Sequence, residues 1–351
     1  MEEIAWLRAP CKPIATHSTQ AALRRQSQLT KPAGALGRLE EIAVLFAGWQ
    51  GQVMPALTRI GISVFAADHG IAQEPVSAYP QAVTAQMIRN FSQGGAAINV
   101  LAKHNGASLE VINLGTVNPL PPLAGVIAVQ IAPGTQNFLH QAAMSVAQCH
   151  EALWQGKAAV NRWLDQQSQC FIGGEMGIGN TTAAAALTCA LLHCTPEQAV
   201  GSGTGIQAKA LSRKIEVVSQ AVAKHGHDPD PLLILQKIGG LEIAALSGAY
   251  IACAQAGIPV IVDGYIASAA ALVAWRINPG IKPWLLFSHV SAEPGHRLIF
   301  AAFGMQPFLD LGMRLGEGTG ATLMLSMIQQ ALVLHREMAT FQQAQVSEKL
   351  S

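Results

Sequence analysis

Two glutamates stand in glycine-rich settings, and they are the residues best placed to do chemistry. The first is Glu317, in Leu315-Gly316-Glu317-Gly318-Thr319-Gly320, directly before an apolar run from Ala321 to Leu334. Glycines let the backbone turn sharply and approach a ligand closely. A helix beginning at about Thr319 aims its free N–H groups back over that loop and favours an ionised carboxylate or a bound anion there. Glu317 is therefore expected as an exposed, ionised base at the mouth of a site; a glutamate that merely caps a helix in a Gly-rich turn is the other reading. The second is Glu175, in Cys170-Phe171-Ile172-Gly173-Gly174-Glu175-Met176-Gly177-Ile178-Gly179-Asn180-Thr181-Thr182. A strand enters, glycines turn, and Asn180 or Thr181 caps an Ala-rich helix running to about Leu192. Small residues and free N–H groups at a helix start make an anion cradle, although close helix–strand packing selects glycines as well. The stretch lacks G-x-G-x-x-G and Gly-Lys-Ser/Thr, so it is neither a dinucleotide fingerprint nor a P-loop.

Further candidates lie at other predicted strand ends. Arg59 to Ala67 reads as a buried strand closed by Asp68-His69-Gly70, where α/β proteins place ligands or orient a loop. Tyr79, in the polar loop from Val76 to Gln81, can stack on a planar ligand or pack on its own helix, Val83 to Phe91. Gly203 centres a third glycine loop, Gly201-Ser202-Gly203-Thr204-Gly205, and the next helix carries Lys209, Arg213 and Lys214, suited to a phosphate or to a wet helix face. Asp263-Gly264 closes the strand Pro259 to Val262. Ser291 follows the strand Leu285 to Phe287, in a loop holding His289, Glu293 and His296, whose spacing is not that of a metal-binding helix.

The elements that must position these residues alternate strand and helix about six times, as Leu109 to Gly115, Val126 to Ile131 and the helix Ser145 to Trp163 illustrate. That order predicts a doubly wound, Rossmann-like parallel sheet with helices on both faces. Residues 1–50 together with 325–351 are expected to form a small helical domain, and 51–324 the large α/β domain. The 351 residues are 50% hydrophobic and 12% charged, with a net charge of +1 and no basic stripe, which argues against nucleic acid as the partner. Six scattered cysteines without C-x-x-C spacing, and a start unlike a signal peptide, suit a reduced, cytoplasmic protein. Ile243 to Val262 is uncharged and long enough to span a bilayer, but Gly257 and Pro259 interrupt it, so a buried helix and strand are expected instead.

Several long motifs in one order carry a resemblance over nearly the whole chain. They are Leu29-Thr30-Lys31-Pro32-x-Gly34-x-Leu36-Gly37-x-Leu39-Glu40, Ala67-Asp68-His69-Gly70, Val83-Thr84, Gly174 to Thr182, and Lys237-Ile238-Gly239-Gly240. Asp263-Gly264-Tyr265, Ser288-His289-x-Ser291-Ala292-Glu293 and Arg314 to Gly320 complete the set. The sequence resembles the nicotinate-nucleotide–dimethylbenzimidazole phosphoribosyltransferases, the enzymes of cobalamin nucleotide-loop assembly. The resemblance implies a homodimer and small-molecule substrates: nicotinate mononucleotide and 5,6-dimethylbenzimidazole giving α-ribazole 5′-phosphate and nicotinate. It aligns Glu317 with the catalytic base and Gly174, Gly177, Ile178, Gly179, Asn180 and Thr181 with the nucleotide loop. Glu175 senses the ribose, assists the proton transfer or holds the loop. The N–H groups of Gly177 to Asn180, with Lys214 nearby, suit the phosphate, and Tyr79, Met87 and Leu315 an apolar slot for the dimethyl ring. Asp68, His69, Gly203, Asp263, Ser291 and Gly316 complete the expected substrate-binding set. No cofactor or metal is called for, because no pyrophosphate leaves. Asn113, Pro133 and the loop Ser77 to Gln81 depart from or vary within the family pattern. Two rival readings are a nicotinamide-dinucleotide oxidoreductase, disfavoured by the missing fingerprint, and a non-catalytic nucleotide-binding paralogue, disfavoured by Glu317 in its full glycine setting.

Overall fold

The computed structural model describes residues 2–203, 205 and 207–347. Its centre is a six-stranded sheet: β1 (Ile60–Ala67), β2 (Ser108–Gly115), β3 (Val126–Ala128), β4 (Cys170–Met176), β5 (Val260–Val262) and β6 (Leu285–Phe287). The order across the sheet is β3-β2-β1-β4-β5-β6 and every pairing is parallel. The chain therefore reverses direction across the sheet between β1 and β4, and a crevice opens outside the carboxyl ends of those two strands. Asp68-His69 follows β1 directly, and Glu175 lies at the end of β4. β1 is buried at every position, as expected of a central strand covered on both faces.

The helices are α1 (Thr16–Gln28), α2 (Arg38–Gln50), α3 (Ala82–Gln93), α4 (Ala97–His104), α5 (Val146–Asp165), α6 (Asn180–Leu192) and α7 (Pro196–Ala199). They continue with α8 (Ala208–His225), α9 (Pro231–Ile238), α10 (Leu241–Ala256), α11 (Tyr265–Ile277), α12 (Gly295–Phe303), α13 (Thr319–Glu337) and α14 (Phe341–Ala344). α10 is buried from Leu241 to Ala254 because it lies in the core. Its Gly248 meets the Leu153 carbonyl of α5, and Gly156 of α5 meets the Ala245 carbonyl in return. Glycines on both helices bring the two backbones together. No helix among the described residues is long and apolar enough to cross a membrane.

β3 is shorter than the predicted strand. Only Val126–Ala128 pairs with β2; Val129 and Gln130 both donate to the Asn113 carbonyl, and Gln130 turns left-handed at φ 57°. At the termini, α1 and α2 pack on each other, and α2 packs on α13. Arg25 donates to the carbonyls of His335 and Arg336, and Leu29 forms an isolated bridge with Thr340. The first turn, Glu2–Arg8, goes elsewhere: the Gln255 amide on α10 donates to the Trp6 carbonyl, and the Asn278 amide to that of Leu7. α13 runs unbroken from the crevice to these terminal helices.

Candidate active site

Glycines 173 and 174 lie inside β4, not in a turn, because both faces of the strand are approached closely. Successive strand residues face opposite sides of a sheet. A methyl group on Gly173 would run into the Leu246 side chain of α10, and one on Gly174 into the Glu317 carbonyl oxygen. The 316–318 loop is thus seated on bare strand backbone. The turn proper comes later, at Gly177–Gly179. Gly179 is the N-cap of α6 in a left-handed conformation, so the cap predicted at Asn180 or Thr181 sits one or two residues early, where φ of +99° selects glycine.

Gly316, Glu317 and Gly318 are all left-handed, with φ of 86°, 64° and 89°. For a glutamate that conformation is strained by about 1–3 kcal/mol. It is held by Asp263 at the end of β5, whose two carboxylate oxygens accept from Gly318 N (3.1 Å) and Ala321 N (2.9 Å). Asp263, not Glu317, therefore occupies the anion position at the start of α13. Glu317 itself is 4% exposed, contrary to the exposed base expected, because its loop folds down onto Gly174. Burial raises its carboxyl pKa; a donation from Ile98 N at the start of α4 (3.5 Å) pulls the other way.

Glu175 is buried and accepts from the Asn180 side-chain amide, with Gly316 lying over its other oxygen. Burial, then the charges of Glu242 and Asp263, push its carboxyl up to about 8, so it is protonated at neutral pH. Lys214 is fully buried; its ammonium donates to Thr181 Oγ1 (2.9 Å) and to the Gly201 carbonyl (3.2 Å). Desolvation brings its pKa down to about 8.

Glu175 and Glu317 border one cavity of about 440 Å³, within the range of small-molecule sites. Tyr79, Val83, Met87, Ile178, Ile266 and Leu315 form an apolar wall; Glu175, Asn180, Thr181, Gly203, Arg314 and Glu317 supply the polar side. A smaller hollow beside it adds Ser291, Glu293 and Gly316. Two roomier grooves elsewhere, of about 610 and 810 Å³, reach neither Glu175 nor Glu317.

A family model described as Phosphoribosyltransferase matches residues 11–346. The chain is 53% identical over 347 residues to the nicotinate-nucleotide–dimethylbenzimidazole phosphoribosyltransferase of a Pseudomonas aeruginosa strain, with 99% of each chain covered. The chain belongs to this phosphoribosyltransferase family. A protein of the same name from Azotobacter vinelandii is 52% identical over 345 residues, 98% of each chain. A crystal structure from Thermus thermophilus titled as the same phosphoribosyltransferase superposes with a TM-score of 0.90 at 43% identity, over 95% of this chain and 99% of that one.

Within this family member, the residues expected from sequence divide in two. Glu175, Gly177, Ile178, Asn180, Thr181, Gly203, Leu315, Glu317, Tyr79 and Met87 border the cavity, and Ser291 and Gly316 the hollow beside it. Lys214 lies behind Thr181 and Gly203, while Gly174 and Gly179 shape the loops. Asp68, His69 and Asp263 do not line the cavity; all three are buried beneath it. His69 Nε2 pairs with Glu242 Oε1 at 2.6 Å. His296 gives both nitrogens to the fold: Nδ1 accepts from Ser291 N, and Nε2 meets Ser268 Oγ. No metal-binding group is found among the described residues.

Several lining residues were missed from sequence, Val83, Met176 and Ile266 among them, and two of the missed residues are charged. Arg314 borders both cavity and hollow, with Nη1 on the Gly203 carbonyl at 3.2 Å. Glu293 accepts from Gly203 N at 2.8 Å, fixing the loop beside Lys214. Both stand inside motifs that carry the family resemblance, Arg314 to Gly320 and Ser288 to Glu293, a signal that could have found them.

The contact under Glu317 gives a direct expectation. Gly174→Ala must displace the 316–318 loop. Overpacking of that kind costs about 1–3 kcal/mol, and a shift of about 1 Å at the base costs about a hundredfold in rate. A lowered melting temperature together with a large loss of turnover is the expected result; wild-type kinetics would refute the contact.

Proposed function

We propose that this chain transfers the phosphoribosyl group of nicotinate mononucleotide to 5,6-dimethylbenzimidazole, giving α-ribazole 5′-phosphate and nicotinate. The observation that carries the reading is Glu317, a buried carboxylate of raised pKa, at one cavity that also has an apolar wall and the Gly177–Thr181 turn backed by Lys214. The apolar wall suits a dimethyl-substituted ring. The turn and the buried ammonium suit a phosphate dianion.

In the mononucleotide the pyridine nitrogen is cationic, so nicotinate leaves as a neutral ring and needs little acid assistance. One benzimidazole nitrogen attacks C1′ from the opposite face, turning a β-glycosidic bond into an α one. The other nitrogen gives its proton to Glu317. A carboxylate whose pKa is raised towards the working pH is the better base. Glu175, protonated at neutral pH, is not that base; it holds Asn180 and presents an O–H donor towards the ribose. Tyr79 and Leu315, both more than half exposed at the rim, cover the incoming ring. A cytoplasmic homodimer, its terminal helices forming a separate small domain, is part of the same reading.

The test is product analysis with nicotinate mononucleotide and 5,6-dimethylbenzimidazole. The expected outcome is stoichiometric α-ribazole 5′-phosphate and nicotinate. Tight binding of the mononucleotide without turnover, across several benzimidazole and purine acceptors, would replace this reading with the binding-only paralogue.

A further inference from the structure

The residues that follow β1 were expected to touch substrate, but the structure puts them behind the turn that does. Asp68 and Thr84 are both fully buried. The Thr84 hydroxyl accepts from Ile178 N at 3.2 Å, and the Asp68 carboxylate lies beside it, with Oδ1 unpartnered among the described residues. Asp68 is fixed in turn by Val117 N, which donates to Oδ2 at 2.9 Å. A hydroxyl both donates and accepts, and a carboxylate on one side settles which role faces the other. With its hydrogen drawn to Asp68, Thr84 presents a lone pair to Ile178. Ile178 N–H is thereby committed to the protein rather than to a ligand, which corrects its expected place among the free N–H groups of the cradle.

This hydrogen bond anchors the middle of a turn whose ends are held separately, by Asn180 N on the Gly177 carbonyl and by the Asn180 amide on Glu175. Gly177 and Gly179 flank Ile178, and Gly179 is left-handed. Neither glycine has a side chain to lock the backbone. Beneath them lie the Ala67 carbonyl and the His69 ring, itself paired with Glu242, so the turn rests on the end of β1 and its middle residue is tied down by Thr84.

We propose that Thr84, oriented by Asp68, is a positioning residue for phosphate recognition: it fixes the Gly177–Asn180 turn in the geometry that receives the 5′-phosphate of the donor. The inference rests on the reading of that turn as the phosphate site. Thr84 also stands one residue after Val83 on α3, whose side chain lines the apolar wall, so the same helix carries both the acceptor slot and the anchor of the donor turn.

The experiment compares two ligands on three proteins. Calorimetry measures the affinity of nicotinate mononucleotide and of nicotinate riboside, which lacks the phosphate, for wild type, Thr84→Val and Thr84→Ser. Valine keeps the shape and removes the hydroxyl; serine keeps the hydroxyl. The expected result is a loss of about tenfold to a hundredfold in mononucleotide affinity for Thr84→Val, with riboside affinity unchanged. Thr84→Ser should restore most of the difference, and the KM for the donor should rise far more than kcat falls. Equal losses for both ligands, or a serine variant as impaired as valine, would show a packing role only and overturn the proposal. If Thr84→Val does not fold, Asp68→Asn decides in its place, with a phosphate-specific loss supporting the relay and a uniform loss overturning it. Wild type that binds both ligands equally would overturn the phosphate assignment and the relay with it, whereas a wild-type preference kept intact by Thr84→Val overturns the relay alone.

Discussion

Glu317→Gln should lower turnover by about a hundredfold or more, the scale of a lost general base, while leaving donor affinity near wild type. Glutamine keeps the length and shape of the side chain and can still accept from Ile98 N, but it cannot take a proton at neutral pH. The loop geometry should survive, because it is set by Asp263 on Gly318 and Ala321 and by the seat on Gly174. The loss should therefore be in kcat. The pH profile gives a second, independent reading. Burial raises the Glu317 carboxyl above its ordinary 4.5, and the base works only when deprotonated. Wild-type kcat should fall as pH drops through a value above 4.5, and that acid limb should vanish in the variant. A variant that keeps more than about a tenth of wild-type turnover would remove Glu317 from the role. Glu175 would not be a simple replacement at neutral pH, since its carboxyl, pushed up to about 8, is already protonated there.

What the sequence made legible follows from local physics. The helix starting at Thr319, the strand ending at Asp68 and the turn after β4 are each announced by glycines and apolar runs within a few residues, and the parallel sheet by their alternation. Contacts between distant segments are a different matter. Gly173-Gly174 reads as a turn because glycine usually marks one, yet here each glycine admits a close neighbour on one face of a strand: α10 on one side, the Glu317 loop on the other. No local pattern distinguishes those two uses. The same reasoning explains Glu317, whose burial depends on Gly174, far away along the chain, and Asp68, which accepts from Val117 N and is buried beside Thr84 rather than meeting a ligand. Asp263 shows the converse: the sequence places it at a strand end, where ligands bind, but only the fold shows that the start of α13 fills that place.

Lys214→Met should weaken donor binding by about a hundredfold or more. A buried charge that loses its phosphate partner, or a phosphate that loses its buried cation, forfeits a desolvated interaction of several kcal/mol. Methionine matches the length and apolar stem, so the α8 packing is kept, while the hydrogen bonds to Thr181 Oγ1 and the Gly201 carbonyl are lost. In wild type the ammonium is costly to keep charged, and desolvation brings its pKa down from 10.5 to about 8. Below that value the free enzyme holds the cation that the phosphate needs; above it the amine is neutral. Donor affinity should accordingly decline as pH rises through about 8, with binding of the phosphate drawing a proton back onto Lys214. Calorimetry in buffers of different ionisation enthalpy would detect that uptake directly. In Lys214→Met both the alkaline decline and the proton uptake should disappear. Glu293, which faces Lys214 while holding Gly203 N, supplies the control: Glu293→Gln removes the countercharge and should shift the alkaline decline to lower pH without abolishing it. Retention of the decline in Lys214→Met would assign it to another group and take Lys214 out of the phosphate site.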